Sequence, residues 1–415
     1  MITDAMAEPI ARYATKSFSS MHHSYNPDQP TIKKIFFDQW DDFLNDPEVK
    51  KKGLRDVTRQ EVEKMLVCGT IHAGFEVYEC PSCHKSHIIC YTCKSRFCPS
   101  CGVKYAKERA ANVAKSCLDV KHRHIVFTID ERLRDFFLVD RNRLHLLFEA
   151  VKQTLFYVFN RNNGKDDTFK PGIIMTLHTF GRALNWNPHI HCLVTEGGVN
   201  DAHHYKPIYY IHYASLRKSF MKLILDYLSN SFNPDSKEYF QFRKLVNQIY
   251  SDKENGFYVY APPMKSKNGN DAVVDYILRY TGRPVMAQSR IIHYDALRKG
   301  IHYFYEDHET NESVEVKEHI FKFMKKLLLH IPESQFKMIR YCGIYATCNH
   351  SHKDTLSALI AKSHHRSKRE PIGYRRDLIS TFNVDPLLCD CGTTMIFVDA
   401  YIPSSIGGEM NGPFS

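Results

Sequence analysis

The sequence lacks any long apolar run. No segment approaches the run of about eighteen apolar residues that a membrane-spanning helix requires. Residues 1–30 are polar and contain no apolar core of a secretory signal, so we expect a cytoplasmic protein. No repeat with a period of about 20–50 residues is visible. The 415-residue chain, with 43% hydrophobic and 13% aromatic residues, has a globular composition and room for about two or three domains.

Positive charge moderately exceeds negative charge. The 56 lysines and arginines outnumber the 46 aspartates and glutamates, which gives a net charge of +10 with histidine neutral. The 23 histidines add positive charge wherever an acidic surface protonates them. This balance suits a nucleic-acid partner, but many enzymes without such a partner share it. Charge alone therefore permits a DNA-binding function without indicating one.

The spacing of apolar residues switches between helical and strand periods along the chain. Helical spacing predicts two helices within 31–66, separated at 50–53, and further helices over 104–116, 141–159, 212–232, 272–281 and 316–330. Strands are predicted over 122–129, 172–178, 189–195, 257–261, 290–293 and 301–305, with Gly197 and Gly198 as a turn after the third strand. We therefore predict an α+β fold in which a small zinc-rich domain precedes the catalytic region.

The cysteines are unevenly distributed. Seven of the 13 lie within 68–101, and six of those form three Cys-x-x-Cys pairs. A two-residue spacing turns the backbone so that both thiolates reach one ion, and two such pairs supply the four ligands of a structural zinc. Buried reduced cysteines without a chemical role are the alternative, but three pairs so close together favour metal binding.

The seven cysteines and nearby histidines suffice for two tetrahedral zinc sites. For one site we predict four thiolates, those of Cys80, Cys83, Cys98 and Cys101. For the other we predict Cys68, Cys93 and a histidine, either His87 or His72, with Cys90 as an ambiguous extra. Arg96 and Lys104 give this segment a basic character, so it either contacts DNA phosphates or serves only as a zinc-stabilised packing module.

A His-Ile-His motif lies within the third predicted strand. Because side chains alternate across a strand, His189 and His191 point to the same face, about 7 Å apart along the chain, while Ile190, Cys192 and Val194 face the core. Two imidazoles at that spacing can share one cation. The alternative is a pair of histidines on a solvent-facing edge. His178, at the end of the preceding strand, is a further candidate ligand.

Two tyrosines, Tyr276 and Tyr280, lie four residues apart in a predicted helix, so both phenols project from one face. Arg279 and Arg283 share a neighbouring face and are placed to hold phosphates. With 24 tyrosines in the chain, this spacing also occurs by chance, and packing is the simpler explanation. Phenols are poor nucleophiles at neutral pH unless a divalent ion activates the phosphodiester that they attack.

Taken in order, these motifs resemble the rolling-circle HUH transposases of bacterial insertion sequences, and in particular the two-tyrosine branch with an N-terminal zinc-binding domain. The resemblance extends from about Thr31 to Met395. It rests on CYTCKSRFCPSC at 90–101, HIVFTI at 124–129, LHTFGRALNWNPHIHCLV at 177–194, YILRYTGR at 276–283 and LLLHIPESQFKMIRYCG at 327–343.

The resemblance implies a palm-like antiparallel sheet that carries His189 and His191 as ligands of a catalytic Mg²⁺ or Mn²⁺. It implies that Tyr276 and Tyr280 form 5′-phosphotyrosine links with single-stranded ends of the element and with target DNA. The family's C-terminal Cys-x-x-Cys is shortened here to Cys389-Asp-Cys391. A C-terminal metal site is therefore left open, with Cys342 or Cys348 as further contributors.

This interpretation divides the chain into four parts. They are an N-terminal helical region (1–66), a zinc-binding domain (67–117), an HUH catalytic domain (118–310) and a C-terminal helical, DNA-contacting region (311–415). The nearest alternative with the same chemistry is a plasmid replication initiator or relaxase. A zinc-finger DNA-binding regulator is the alternative from another class, and a zinc hydrolase that uses Glu196 as its base ranks last.

Overall fold

The computed structural model describes residues 18–20, 31–103, 105, 113, 117–118, 120–161, 169–200, 204–208, 210–262, 276, 280, 284–307, 310, 312–346, 375, 379 and 385–403. The predicted helix at 104–116, apart from Tyr105 and Val113, and the predicted helix at 272–281, apart from its two tyrosines, lie outside these residues. Lys104, Arg279 and Arg283 lie outside them too. Among the described helices, none combines the length and apolar character that crossing a bilayer requires.

Helices and antiparallel strands are mixed along the chain, as predicted. The helices are α1 (Ile32–Asn45), α2 (Pro47–Lys52), α3 (Asp56–Val67), α4 (Arg134–Val139), α5 (Leu144–Arg161), α6 (Tyr213–Ser231), α7 (Lys237–Asp252) and α8 (Ile320–Leu329). The strands are β1 (Phe18–Ser20), β2 (Phe75–Glu79), β3 (Ser86–Cys90), β4 (His122–Thr128), β5 (Lys170–Phe180), β6 (Trp186–Val199), β7 (Tyr205–Pro207), β8 (Val259–Tyr260), β9 (Ile291–Asp295), β10 (Gly300–Glu306), β11 (Ser313–His319), β12 (Ile339–Gly343) and β13 (Ile396–Tyr401).

The N-terminal helices depart from the prediction. The segment 50–53 was expected to separate two helices, but residues up to Lys52 are helical and belong to α2. A further break, which was not predicted, falls at Asp46, whose side chain accepts hydrogen bonds from the backbone N–H groups of Glu48 and Val49 and so starts a new helix. Gly53, at φ 73°, ends that helix in a conformation that favours glycine.

Two further predictions of local structure are wrong. Gly197 and Gly198 lie inside β6 rather than in a turn, and they pair with β7. A side chain at Gly198 would put its Cβ 2.8 Å from the carbonyl oxygen of Lys170 on β5, so glycine is required by the close approach of two strands. The predicted helix at 316–330 begins only at Ile320, because the preceding residues form the second strand of a hairpin with β10.

A central antiparallel sheet of six strands positions the candidate site. Its order is β12-β5-β6-β4-β8, with β7 paired to the far end of β6. One face is covered by α5, which packs against β5 and β6, and by α6, which packs against α5. The apolar side chains on that face form the largest core of the described residues. The opposite face is mixed, with a smaller apolar cluster around Ile174 and Leu193 beside polar groups.

A second core joins the N-terminal helices to the segment that follows the tyrosines. Phe43 of α1 packs edge-to-face on Phe321 of α8, at 5.6 Å between ring centroids. Gln39 donates hydrogen bonds to the hydroxyl of Tyr294 and to the carbonyl of Ala296. The three-stranded sheet β11-β10-β9 lies in this unit, so the domain boundary predicted at 310/311 falls in the connection between two paired strands.

A third, four-stranded sheet brings the two ends of the chain together. Its order is β1-β3-β2-β13, and β13 is antiparallel to β2. The ring centroids of Tyr78 on β2 and Phe397 on β13 are 5.8 Å apart. The segment 385–403 is therefore part of the same sheet as the N-terminal zinc-rich segment, which was not predicted.

We expect buried His330 to make stability depend on pH. Its ring nitrogens bond to the Thr179 hydroxyl and the Leu184 carbonyl, both at 3.1 Å, and burial lowers its pKa to about 4. Because the unfolded histidine has a pKa of about 6.5, stability is fully present above that pH and is lost as pH falls toward 4. Denaturant unfolding at pH 7 and pH 5 should show about 2 kcal/mol less pH-dependent loss in His330→Gln than in the wild type. Equal losses in both proteins would contradict this.

Candidate metal and tyrosine site

The His-Ile-His motif lies at the centre of the six-stranded sheet. In the strand register His191 is flanked by Thr176 and Val126, and His189 is flanked by His178 and Thr128. The intervening residues point the other way and are fully buried, namely Ile190, Cys192 and Val194. The predicted alternation is therefore confirmed, and the two histidines share the face that the helices α5 and α6 leave uncovered.

Three histidines converge on this face. One ligand atom from each of His178, His189 and His191 lies within 4.8 Å of the others. His178 and His191 are buried, with 6% and 8% of their surface exposed, whereas His189 is half-buried. The sequence left His178 as an open candidate, and the strand pairing places it directly opposite His189.

Hydrogen bonds orient the imidazoles toward a common point. Nδ1 of His189 donates to the Asn187 carbonyl at 2.7 Å, so its Nε2 carries a lone pair. That Nε2 lies 3.1 Å from Nε2 of His191, whose Nδ1 is 3.0 Å from Nε2 of His124. With the His191 proton on Nδ1, both Nε2 lone pairs face each other. Two like lone pairs at this distance are unfavourable unless a proton or a cation lies between them.

The third imidazole links the ligand cluster to the tyrosines. Nε2 of His178 donates to the backbone carbonyl of Tyr280 at 2.6 Å, which leaves the lone pair on Nδ1. Burial is the main cause of a lowered pKa at His189, and the charge of Arg134 adds to it. A neutral imidazole is the form that binds metal, so burial favours ligation here.

This donor set determines which ions suit the site. Imidazole nitrogens bind first-row transition ions, whereas Mg²⁺ prefers oxygen ligands in octahedral geometry. No Asp or Glu joins this group of ligands among the described residues. The three histidines therefore fit a first-row transition ion better than they fit Mg²⁺, so Mn²⁺ is the better match of the two ions that the resemblance implies.

The two tyrosines lie against the histidines but in different environments. The ring centroid of Tyr280, a half-buried residue, is 4.3 Å from that of His191 and 4.5 Å from that of His124. Tyr276 is 3% exposed, its ring is 5.2 Å from that of Tyr280, and its hydroxyl has no hydrogen-bond partner among the described residues. Burial raises the pKa of Tyr276 well above its ordinary value.

His124 was not predicted as a site residue, although it begins the HIVFTI motif. It projects from β4 on the histidine face, because it is opposite Leu193, two residues beyond His191. Its ring stacks on that of His191, with centroids 5.2 Å apart and an interplanar angle of 11°. Alternation along β4 was the only available signal, and it became informative only once the pairing of β4 with β6 was known.

The cysteines form two clusters, and the predicted partition is wrong. Cys68 and Cys93 join Cys98 and Cys101 in a group of four thiols, with Sγ–Sγ distances of 3.5 to 3.8 Å. The second group consists of Cys80, Cys83, Cys389 and Cys391. Neither group includes His87, His72 or Cys90.

The second cluster depends on the pairing of β2 with β13. Cys80 and Cys83 follow β2, while Cys389 and Cys391 precede β13, so the antiparallel strands bring both pairs to one end of the sheet. The Sγ atoms are 3.4 Å apart for Cys80 and Cys391, and 3.5 Å apart for Cys83 and Cys389.

A tight turn lets Cys389 and Cys391, which are separated by one residue, both reach the second cluster. The N–H of Gly392, at φ 83°, donates to the Cys389 carbonyl at 2.8 Å. A hydrogen bond from the Thr393 hydroxyl is the largest cause that lowers the pKa of Cys391 to about 6, which favours the thiolate needed for zinc. Lys85 forms an ion pair with Asp390 across the cluster. The shortened Cys-x-Cys motif therefore does not remove the metal site.

The predicted DNA-contacting residues are described only in part. Arg96 is half-buried, and its guanidinium carbon is 5.8 Å from the centroid of the Tyr105 ring. That geometry is compatible with a cation–π contact. The other basic residues that were singled out lie outside the described residues.

Two stretches of the chain match known families. Residues 172–353 match the family described as "Putative transposase", and residues 35–129 match the one described as "Transposase zinc-binding domain". The first stretch contains all three ligand histidines and both tyrosines, and the second contains all seven clustered cysteines of 68–101. These two matches identify the class of protein as a transposase with an N-terminal zinc-binding domain.

Relatives extend the match over most of the chain. The transposase for insertion sequence element IS801 of Pseudomonas savastanoi pv. phaseolicola is 32% identical over 376 residues, which cover 87% of this chain and 88% of the relative. "Putative transposase y4qJ" of Sinorhizobium fredii (strain NBRC 101917 / NGR234) is 25% identical over 313 residues, or 70% and 75% of the two chains. No solved structure matches the chain. The chain belongs to the IS91/IS801 family of insertion-sequence transposases, which confirms the family predicted from the motifs.

We expect each cysteine cluster to hold one zinc ion. Replacing Cys93 by Ser, or Cys389 and Cys391 together by Ser, should each remove about one equivalent of zinc, because a tetrahedral site loses its closure when a thiolate is lost. Zinc content per chain, measured by mass spectrometry of purified protein, checks this. Cys90→Ser is the control, since Cys90 belongs to neither cluster. Loss of zinc in that control, or full zinc in the Cys389 and Cys391 variant, would contradict the assignment.

Proposed function

We propose that this transposase cleaves and rejoins single DNA strands through covalent phosphotyrosine links, with His178, His189 and His191 holding the catalytic ion. The observation that carries the proposal is the packing of the Tyr280 ring against a cluster of three converging imidazoles. The centroids of the Tyr280 and His191 rings are 4.3 Å apart. A nucleophile and a metal-ligand set in contact, in a family whose reaction is DNA transposition, support this chemistry. A palm-like arrangement of the antiparallel sheet is part of the same proposal.

His178, His189 and His191 would hold the divalent ion, and that ion would supply polarisation of the scissile phosphate and neutralise developing charge. The protein supplies orientation: His124 and the Asn187 carbonyl form hydrogen bonds with Nδ1 of two ligands, while the ring of the third, His178, donates to the Tyr280 backbone. Arg134 is close enough to affect His189 electrostatically, and no ion pair involving it occurs among the described residues. Arg134 is therefore available to hold a phosphate oxygen.

The reaction is a balanced exchange of ester bonds. The Tyr280 phenol oxygen bonds to phosphorus, the bond from phosphorus to the 3′ oxygen breaks, and the phenol proton is delivered to that oxygen. The products are a 5′-phosphotyrosine and a free 3′-hydroxyl, which can prime replication in a rolling-circle scheme. Because the energy of the broken ester is kept in the new one, the strand can be rejoined without ATP.

The environments of the two tyrosines support an order of action. Tyr280 is half-buried beside the ligands, whereas the Tyr276 hydroxyl is buried and its pKa is raised by that burial. A phenol that cannot ionise easily and cannot be reached by DNA is unsuited to the first attack. We therefore assign Tyr280 to the first cleavage and Tyr276 to a later step that follows a local rearrangement.

The hydrolase alternative is weakened by the position of its only nearby base. Glu196 forms an ion pair with Arg123, at 2.6 Å between Oε1 and Nε. That carboxylate is therefore already engaged, and it lies beyond Thr195 at the far end of the histidine strand. A purely DNA-binding regulator needs no cluster of three converging histidines, so the site favours an enzyme that acts on DNA.

The tyrosines give a direct test. With Mn²⁺ and single-stranded DNA from the flanks of the gene, Tyr280→Phe should abolish the covalent protein–DNA adduct, because it removes the nucleophilic oxygen. Tyr276→Phe should still form the first adduct but fail to complete strand transfer. Denaturing gels with labelled oligonucleotides measure both products. Tyr250→Phe, an exposed tyrosine on α7, is the control, and undiminished adduct in the double Tyr276 and Tyr280 variant would overturn the proposal.

His124 should behave as a positioning residue for His191. His124→Ala should weaken Mn²⁺ binding by about 10-fold to 100-fold, because the hydrogen bond between His124 and the imidazole of His191 is lost. His124→Asn, which retains an acceptor, should recover part of that affinity. Titration followed by the electron paramagnetic resonance of free Mn²⁺ measures the affinity without any need for cleavage. An unchanged affinity in His124→Ala would show that the contact is only structural.

A further inference from the structure

The edge strand β8 presents two exposed tyrosines on the histidine face of the central sheet. Tyr258 and Tyr260 are 57% and 48% exposed, whereas Phe257, Val259 and Ala261 are buried at 2%, 1% and 2%. The alternation is complete over five residues, so both phenol rings project from one face and the core holds the other. Large aromatic side chains on an open sheet face require an explanation beyond packing.

The strand register places these rings beside the metal ligands. Tyr260 is paired with Val126, and Val126 is paired with His191 on its other side. Thr128, the partner of His189, donates its N–H to the Tyr258 carbonyl at 3.1 Å. Each tyrosine therefore shares a cross-strand row with one ligand histidine, two strands and about 10 Å away.

Side chains of β4 lie between the tyrosines and the histidines. Val126 and Thr128, the side chains that separate them, are both partly exposed on this face. Neither Tyr258 nor Tyr260 makes a ring contact with any part of the chain that the structure describes. The flat faces of both phenols are thus available to a ligand that reaches the metal site.

The backbone of this strand is held firmly. Phe257 donates its N–H to the Arg217 carbonyl at 3.3 Å, and the Tyr213 hydroxyl donates to the Ala261 carbonyl. Both ends of the segment are therefore fixed by α6, while the core side chains anchor its middle. A rigid aromatic pair loses little conformational entropy when a flat ligand stacks on it.

We propose that Tyr258 and Tyr260 form a stacking platform for two unpaired bases of the single strand whose phosphate is cleaved at the histidines. The inference rests on the proposed function for the position of that phosphate. Every base has a π-face, and stacking on aromatic side chains is the way single strands are held with little dependence on sequence. In a duplex those faces are hidden within the base stack, so the platform selects single-stranded DNA.

The platform is tested by binding, without cleavage. In buffer without added divalent ion, the double variant Tyr258→Ala, Tyr260→Ala should bind a flank oligonucleotide about tenfold more weakly than the wild type, as measured by fluorescence anisotropy. Duplex binding should change less than about twofold. The double Phe variant should bind as the wild type does, and the double Leu variant should bind as the Ala variant does, because stacking needs a ring rather than a hydroxyl or bulk. Tyr157→Ala, an exposed tyrosine on α5 across the sheet, is the control.

Base analogues locate the contact. An oligonucleotide with 2-aminopurine at successive positions should show fluorescence quenching at about two adjacent positions in the wild type and in the Phe variant, but not in the Leu variant. Equal loss of duplex and single-strand binding, or retention of both in the Leu variant, would overturn the proposal. If the platform variants bind weakly while wild-type protein forms no adduct, the cleavage chemistry fails and the platform stands. If Tyr280-dependent cleavage occurs and the Leu variant binds normally, the platform fails alone.

Discussion

The antiparallel register of β4, β5 and β6 is the constraint on which the candidate site depends. Because pairing fixes which side chains stand opposite each other, a one-residue slip of β6 would send His189 and His191 into the apolar core. The fully buried Ile190, Cys192 and Val194 oppose such a slip, since they would have to leave the main core for the face that carries the histidines. The energy of the core is thus what holds the imidazoles at ligand distance. A bound cation would further stabilise the arrangement of imidazoles that packing of the core already establishes.

The same face brings together groups from distant parts of the sequence that the proposed reaction needs. Hydrogen bonds at Nδ1 orient two imidazoles, and the bond from His178 to the Tyr280 backbone couples the third to the proposed nucleophile. An ion that shifts His178 would therefore also shift the segment that carries Tyr280. The geometry of the candidate ligands and the position of Tyr280 are therefore coupled through this hydrogen bond.

Local periodicity predicted what depends on neighbours in sequence, and it failed where distant strands meet. The two faces of the strand around His189 could be predicted, because alternation is a property of any strand. The roles of His178 and His124 depend on strand pairing, which no local pattern fixes. Gly197 and Gly198 were misread as a turn because the crowding that requires them comes from other strands, from Tyr205 and Lys206 at Gly197 and from Lys170 at Gly198. The cysteine partition failed because nearness in sequence was used as a guide to nearness in space, whereas pairing of β2 with β13 decides it.

The second thiol cluster can form only late in the synthesis of the chain. Cys83 and Cys389 are separated by 306 positions, so the first pair of ligands is synthesised long before the second pair emerges. At about 5–20 residues per second, that wait lasts on the order of tens of seconds. A product ended by an early stop codon keeps Cys80 and Cys83 but never receives their partners. Closure of this cluster therefore requires that synthesis continue at least to Cys391.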